Sequence, residues 1–136
     1  MSEENRALVQ KLFDALDRQD KAAVNELVST DFEAHVAGQP PDVDRAGWDE
    51  RVAMLYSGFP DLVHDYDQWM SEGDSVTLRA TLRGTHKGVF MGHQPTGKSI
   101  RTEAVGIFKI RDGKVVYEWA ILDVAGLEAQ LGLRDT

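Results

Sequence analysis

Apolar positions along the chain change period near its middle. Between Asn5 and Arg18, Leu8, Val9, Leu12, Phe13 and Leu16 recur at the i, i+3, i+4, i+7 spacing that turns one stripe of a helix toward a core. Asp20 stands in N-cap position for a second short helix running through Val28, with Ala23, Val24, Leu27 and Val28 apolar. Gly38, Pro40 and Pro41 then break the periodicity and predict a loop from Asp31 to Asp42. Asp44 is placed to cap a third helix, Arg45 to Tyr56, with Trp48, Val52 and Leu55 turned inward.

From Phe59 onward the period is two. Leu62, His64, Tyr66 and Gln68 alternate with Val63, Asp65, Asp67 and Trp69 up to a turn at Ser71-Glu72-Gly73-Asp74. Val76, Leu78, Ala80 and Leu82 alternate with Thr77, Arg79, Thr81 and Arg83 in a half-buried strand pattern. Ile100 to Ile110 predicts a third strand, and Asp112-Gly113 is a two-residue hairpin signal leading into a fourth, Val115 to Leu122. A last helix from Val124 to Leu131 stops at Gly132. Helices first and hairpin-linked strands afterwards is an α+β order, with about four strands in an antiparallel meander.

Composition narrows the function classes. The chain of 136 residues is expected to fold as a single domain, 1–136, large enough for a core of its own. With no cysteine it has no disulfide, thiolate metal site or cysteine nucleophile. Fifteen Lys plus Arg against 23 Asp plus Glu give a net charge of −8, which argues against nucleic acid and anionic membranes as partners. No apolar run approaches a membrane span, and the polar start Met1 to Arg6 does not read as a signal peptide. A soluble cytoplasmic domain that handles an apolar small molecule is the expectation.

Gly92-His93-Gln94-Pro95-Thr96-Gly97-Lys98-Ser99 matches the phosphate-loop expression G-x-x-x-x-G-K-[ST] letter for letter. That mechanism needs a helix after the loop, so that its N-terminus meets the phosphates. Ser99 instead opens an alternating, β-branched strand, and the segment reads as a turn at Pro95-Thr96-Gly97. The four histidines form no helical pair and no H-E-x-x-H, so no metal site is expected. His64 and His93 read as surface or hydrogen-bonded structural groups. His35 and His86 lie beside glycine-containing segments at the ends of elements, where side chains can face a pocket.

Asp123 lies between the apolar runs Trp119-Ala120-Ile121-Leu122 and Val124-Ala125-Gly126-Leu127. Two roles fit it: N-cap of the last helix, or a desolvated acid/base group. By period two it shares a strand face with Tyr117, Trp119 and Ile121. If that face lines a cavity, desolvation moves its pKa toward the operating pH, which general acid/base catalysis requires. Glu118 then points to the opposite face. Arg79 and Glu103 are the other strand charges able to point inward, although such residues more commonly form exposed cross-strand pairs.

Gly58-Phe59-Pro60-Asp61-Leu62, Gly84-Thr85-His86-Lys87-Gly88, Pro95-Thr96-Gly97-Lys98, Asp112-Gly113-Lys114 and Asp123-Val124-Ala125-Gly126-Leu127 with Gln130-Leu131-Gly132 resemble the SnoaL-like polyketide cyclase or ester cyclase family, within the nuclear transport factor 2-like superfamily. The resemblance runs in order from about Val9 to Gly132. It implies an α+β cone, a curved antiparallel sheet wrapped around the N-terminal helices with an apolar pocket, commonly in a homodimer. It also implies that Asp123 is the acid/base of an intramolecular aldol closure without metal or cofactor, and it matches His35 and His86 to family histidines. Where characterised cyclases carry a pocket histidine on the third long strand, this sequence has Gly106. That departure bears on the cyclase reaction itself, and a glycine at an inward strand position leaves room for a different ligand.

The leading reading is thus a cofactor-independent enzyme acting on an apolar, polyketide-like ester. Asp123 removes a proton next to a carbonyl, His35 and His86 bind or polarise the substrate oxygen, and Trp48, Phe59, Trp119 and Ile121 form dry walls. One alternative is an isomerase or epoxide hydrolase in which Arg79 faces the pocket beside Asp123. Another is a non-catalytic module that binds an apolar ligand in the same fold.

Overall fold

The first apolar stripe is buried as its spacing requires. In the computed structural model, which describes residues 2–38 and 41–133, helix α1 (Ser2–Asp17) buries Val9, Leu12, Ala15 and Leu16. Gln19 turns the chain at a φ of 56°, and the Asp20 carboxylate accepts the Ala23 N–H at 3.2 Å to start α2 (Lys21–Leu27).

The predicted loop after α2 is a strand instead. β1 (Val28–Val36) buries Phe32 and Ala34 and runs parallel to β6 (Lys114–Leu122), while the two-residue β2 (Val43–Asp44) pairs on its other edge. Ser29, Thr30 and Asp31 hide the alternation at its start, and the pairing joins segments more than eighty residues apart, which no local pattern reveals. Pro40, assigned above to that loop, lies outside the described residues. Asp44 caps α3 (Arg45–Gly58), accepting the Gly47 N–H at 2.9 Å.

The predicted meander is present as β3 (Val63–Glu72), β4 (Ser75–Thr85), β5 (Ser99–Arg111) and β6, followed by α4 (Val124–Gln130). With β1 and β2 the strands form one curved, unclosed, mixed sheet of six strands in the order β2-β1-β6-β5-β4-β3. Asp67 and Val116 are extra residues in their ladders, since Tyr66 and Gln68 pair with the adjacent Ala80 and Arg79, and Ile110 and Lys109 pair with Val115 and Tyr117. Such bulges bend a strand and increase its twist, which curves the sheet around the helices.

The concave face carries large residues at one end and small ones in the middle. Val76, Phe108, Ile110 and Val115 pack the closed end. Across the centre, neighbouring strands place Leu122, Ala104, Ala80 and Tyr66 in one row, and Val36, Ala120, Gly106 and Leu78 in the next. Alanine and glycine at these inward positions leave a hollow that α1 and α3 roof over without filling.

Candidate functional site

That hollow is a cavity of about 390 Å³ between the sheet, α1, α3 and the Phe90-Met91 turn, with mostly apolar walls. Among the described residues only Arg51, Tyr56, His64 and Glu118 bring ionisable side chains to its lining. Glu118 follows the β6 bulge and sits in a row between Ala34 of β1 and Phe108 of β5. Its Oε1 accepts the Trp48 Nε1–H at 3.1 Å. Burial in this apolar wall pushes the Glu118 carboxyl from the usual 4.5 up to about 7, against the smaller opposing effects of the Trp48 hydrogen bond and the charge of His64. Near neutral pH the group therefore divides between acid and carboxylate, the balance that lets one group both take and return a proton.

His64, on β3, is held by Asp17 at the end of α1. Asp17 Oδ2 accepts the His64 backbone N–H at 2.8 Å, and Oδ1 lies 2.7 Å from His64 Nδ1 and accepts the Tyr56 hydroxyl at 2.7 Å. A carboxylate only accepts, so the imidazole proton sits on Nδ1 and Nε2 is the nitrogen left for chemistry. Phe13 packs its edge on the ring at 4.9 Å, which fixes the ring plane. Burial and the Asp17 carboxylate hold the Tyr56 phenol far above its ordinary value, so it remains a hydrogen-bond donor.

A second depression, of about 440 Å³, lies on the other side of α3 and shares Leu16, Trp48, Val52 and Tyr56 with the cavity. Its polar groups already serve one another: Arg45 binds Asp49 at 3.1 Å, the Val28 carbonyl at 3.3 Å and the Asn25 side chain. The acids in its lining, Asp20 and Asp49, have side chains 41% and 49% exposed, unlike the buried Glu118 carboxyl of the cavity.

The sequence pattern of the SnoaL-like polyketide cyclase family matches residues 6–131. The chain belongs to this family. Among solved structures it is similar to AclR, a candidate hydroxylase from Streptomyces galilaeus, at 30% identity and a TM-score of 0.91 over 100% of this chain and 85% of that one. It is similar to IdmH, a candidate polyketide cyclase from Streptomyces antibioticus, at 31% identity and a TM-score of 0.84 over 94% of this chain and 98% of that one. A candidate SnoaL-like polyketide cyclase from Jannaschia Sp. CCS1 follows at 25% identity and a TM-score of 0.89, over 98% and 95% of the two chains. No curated protein matches. Family membership and these neighbours support a cyclase-type enzyme.

The residues singled out by the family pattern are not those that meet in the cavity. Asp123 is exposed and caps α4, accepting the Gly126 N–H at 2.9 Å, and it is absent from the cavity lining. Tyr117 and Trp119 share its side of β6, which is the convex side, and Glu118, Ala120 and Leu122 take the concave one. His35 lies on the convex side too, 6.4 Å from the Trp119 ring and 2.6 Å from Asp42. His86 is fully buried outside the cavity, where its Nδ1 accepts the Thr96 N–H at 3.2 Å and its ring packs on Phe59, itself fully buried. Arg79 is exposed on the convex face and donates to Gln68 at 3.4 Å, so it is not the partner a hydrolase reading requires.

Trp48, Gly106 and Ile121 do line the cavity, Ile121 at its open edge with 45% of its surface exposed. A Cβ on Gly106 would stand 2.8 Å from the Phe108 ring, so that ring occupies the space a histidine there would need. The phosphate-loop look-alike is a turn, with Gly97 at a φ of 74° and Ser99 opening β5 rather than a helix. Replacing Asp123 by Ala should cost about 1 kcal/mol of stability, the loss of one N-cap, and leave Glu118 titrating near 7. Urea unfolding together with carboxyl NMR would check both, and a displaced Glu118 titration would tie Asp123 to the site.

The sequence alone places Glu118 on the face opposite Asp123, reads His64 as a structural group, and gives Tyr56 and Arg51 no site role. The signal that points to them is the set of small residues at inward positions, Ala34, Ala80, Ala104, Gly106 and Ala120, which marks where the sheet is hollow. A charged residue on that same face is then a wall group.

Proposed function

We propose that the protein is a cofactor-independent acid/base enzyme of the polyketide cyclase type, and that Glu118 is the proton-transferring group. The observation that carries this is a lone carboxyl in a dry apolar wall, hydrogen-bonded on one oxygen by Trp48 and poised near neutrality. Oε2 is the oxygen left to work. It removes a proton from a carbon next to a carbonyl of an apolar, polyketide-like substrate. The enolate carbon attacks a second carbonyl of the same molecule, forming the C–C bond, and the resulting alkoxide recovers the proton from Glu118. The sequence is redox-neutral and its atoms balance without a co-reactant.

His64 supports this reading. Its Nδ1 is committed to Asp17, its ring lines the cavity, and its charge, when the ring is protonated, acts on Glu118. It polarises or steadies the oxygen on which negative charge develops, in a site where low polarity strengthens each such contact. The acid/base duty expected at Asp123 is assigned to Glu118 because a solvated N-cap carboxylate lacks the desolvation that tunes a general base.

The test uses 2-tetralone, an apolar ring ketone with exchangeable α-protons, in D2O. The protein should accelerate α-exchange above the buffer rate, and the acceleration should rise with pH through about 7 as Glu118 ionises, then level. Absence of any acceleration, or a rise centred near 4, would sink the assignment.

A further inference from the structure

Arg51 is the fixed positive charge of the cavity, and among the described residues no carboxylate lies within ion-pair distance of it. Three acids near it in the chain are engaged elsewhere: Asp49 holds Arg45 at 3.1 Å, Asp44 holds the Gly47 N–H at 2.9 Å, and Asp42 holds His35 at 2.6 Å. Among the described residues Arg51 Nη2 reaches only the Pro41 carbonyl at 3.5 Å, the outer limit of a hydrogen bond, and Nη1 is buried without a partner. In a chain with 23 acids and 15 bases, a cavity-lining guanidinium with an unmet donor is costly to the unliganded fold.

The chemistry that relieves this cost is specific. Nη1 and Nη2 form the planar edge of a guanidinium that meets a carboxylate through two parallel hydrogen bonds. The remaining walls are mostly apolar and enclose a space of ring-system size, which suits an acidic group carried on a largely apolar molecule. The Glu118 proton balance answers to burial, Trp48 and His64.

We propose that Arg51 binds a carboxylate on the ligand, so that the cavity takes an apolar, ring-bearing acid and holds its acidic end away from the carbon that reacts at Glu118. This rests on the cavity being the substrate site, and it adds the polar anchor that the acid/base reading leaves open.

The experiment compares 2-naphthoate with 2-naphthamide by calorimetry at about pH 6, where an ordinary carboxylic acid is ionised and Glu118 is still mostly protonated. The naphthoate should bind at least about tenfold more tightly to the wild type, the worth of a charge-assisted hydrogen-bonded pair. Arg51→Gln should lower naphthoate affinity to that of the amide without changing amide affinity, and Arg51→Lys should keep part of the preference. Equal binding of the two probes to the wild type, or a preference that survives in Arg51→Gln, would overturn the Arg51 assignment alone and leave the tetralone result standing. Binding of neither probe would overturn both this proposal and the placement of the substrate in the cavity.

Discussion

Glu118→Gln should bring α-exchange of 2-tetralone down by roughly 10²- to 10⁴-fold, the range a positioned general base supplies, and should at the same time make the protein more stable above pH 7. The glutamine keeps the shape of the side chain, and its carbonyl oxygen can still accept the Trp48 N–H that Oε1 accepts at 3.1 Å. Only the titrating group is lost. The gain in stability follows from the direction of the pKa change. Between 4.5 and about 7 the unfolded chain has released the Glu118 proton that the folded chain retains, so native stability falls as pH rises through that window and levels beyond it. A change of that size corresponds to about 3 kcal/mol at pH 8, which the neutral amide does not lose. Activity and stability moving in opposite directions is the signature of a group held in a costly state for its chemistry. Exchange at the wild-type rate in Glu118→Gln would show that another group takes the proton. Equal stability of the two proteins at pH 8 would show that Glu118 is not desolvated.

Asp123 shows how far the chain could be read without its structure. It fitted both a helix cap and an acid in an apolar stretch, and only the direction of strand curvature separates the two. Alternation says that Tyr117, Trp119 and Ile121 share one face and Glu118, Ala120 and Leu122 the other. It does not say which is concave when both are largely apolar. Hydrophobicity favoured the aromatic side, yet the cavity forms on the side with the smaller residues, because a hollow requires missing volume. The elements with a strong period, α1, β4, β5 and the Asp112-Gly113 hairpin, were legible for the same reason that they are stable: one face is buried and the other wet. β1 was not legible, since its partner β6 lies far along the chain and its inward face shows only in the short run Phe32, Ala34 and Val36.

His64 carries the same lesson at the level of a site. A single histidine in an alternating strand reads as a structural residue, and its hydrogen bonds to Asp17 are structural. What the sequence cannot display is that Asp17, His64 and Tyr56, on three separate elements, converge beneath one cavity. Convergence of that kind comes from the packing of α1 and α3 across the sheet and has no local trace.

That convergence makes Asp17 the residue whose loss should cost the fold most. Asp17→Ala should destabilise the protein by about 3 to 5 kcal/mol, as expected when one member of a buried charged network is deleted. Three donors lose their acceptor at once: the Tyr56 hydroxyl, the His64 backbone N–H and the His64 Nδ1–H. The side chains of Asp17 and His64 are only 15% and 8% exposed, so water does not readily replace the lost partner. Tyr56→Phe removes one donor together with its demand for an acceptor, and should cost about 1 kcal/mol. Asp17→Asn separates fold from chemistry. Its amide presents one accepting oxygen where the carboxylate presents two, so it can hold the His64 backbone N–H or the ring nitrogen, but it turns its own NH2 toward the other. The ring is then free to place its proton on Nε2, and 15N spectra of His64 should show that tautomer, with slower tetralone exchange and a smaller loss of stability than in Asp17→Ala. An unchanged urea midpoint in Asp17→Ala would show that the network does not hold α1 to the sheet. An unchanged His64 tautomer in Asp17→Asn would show that the ring is oriented by Phe13 and the cavity wall, and that Asp17 supports the fold without positioning the imidazole.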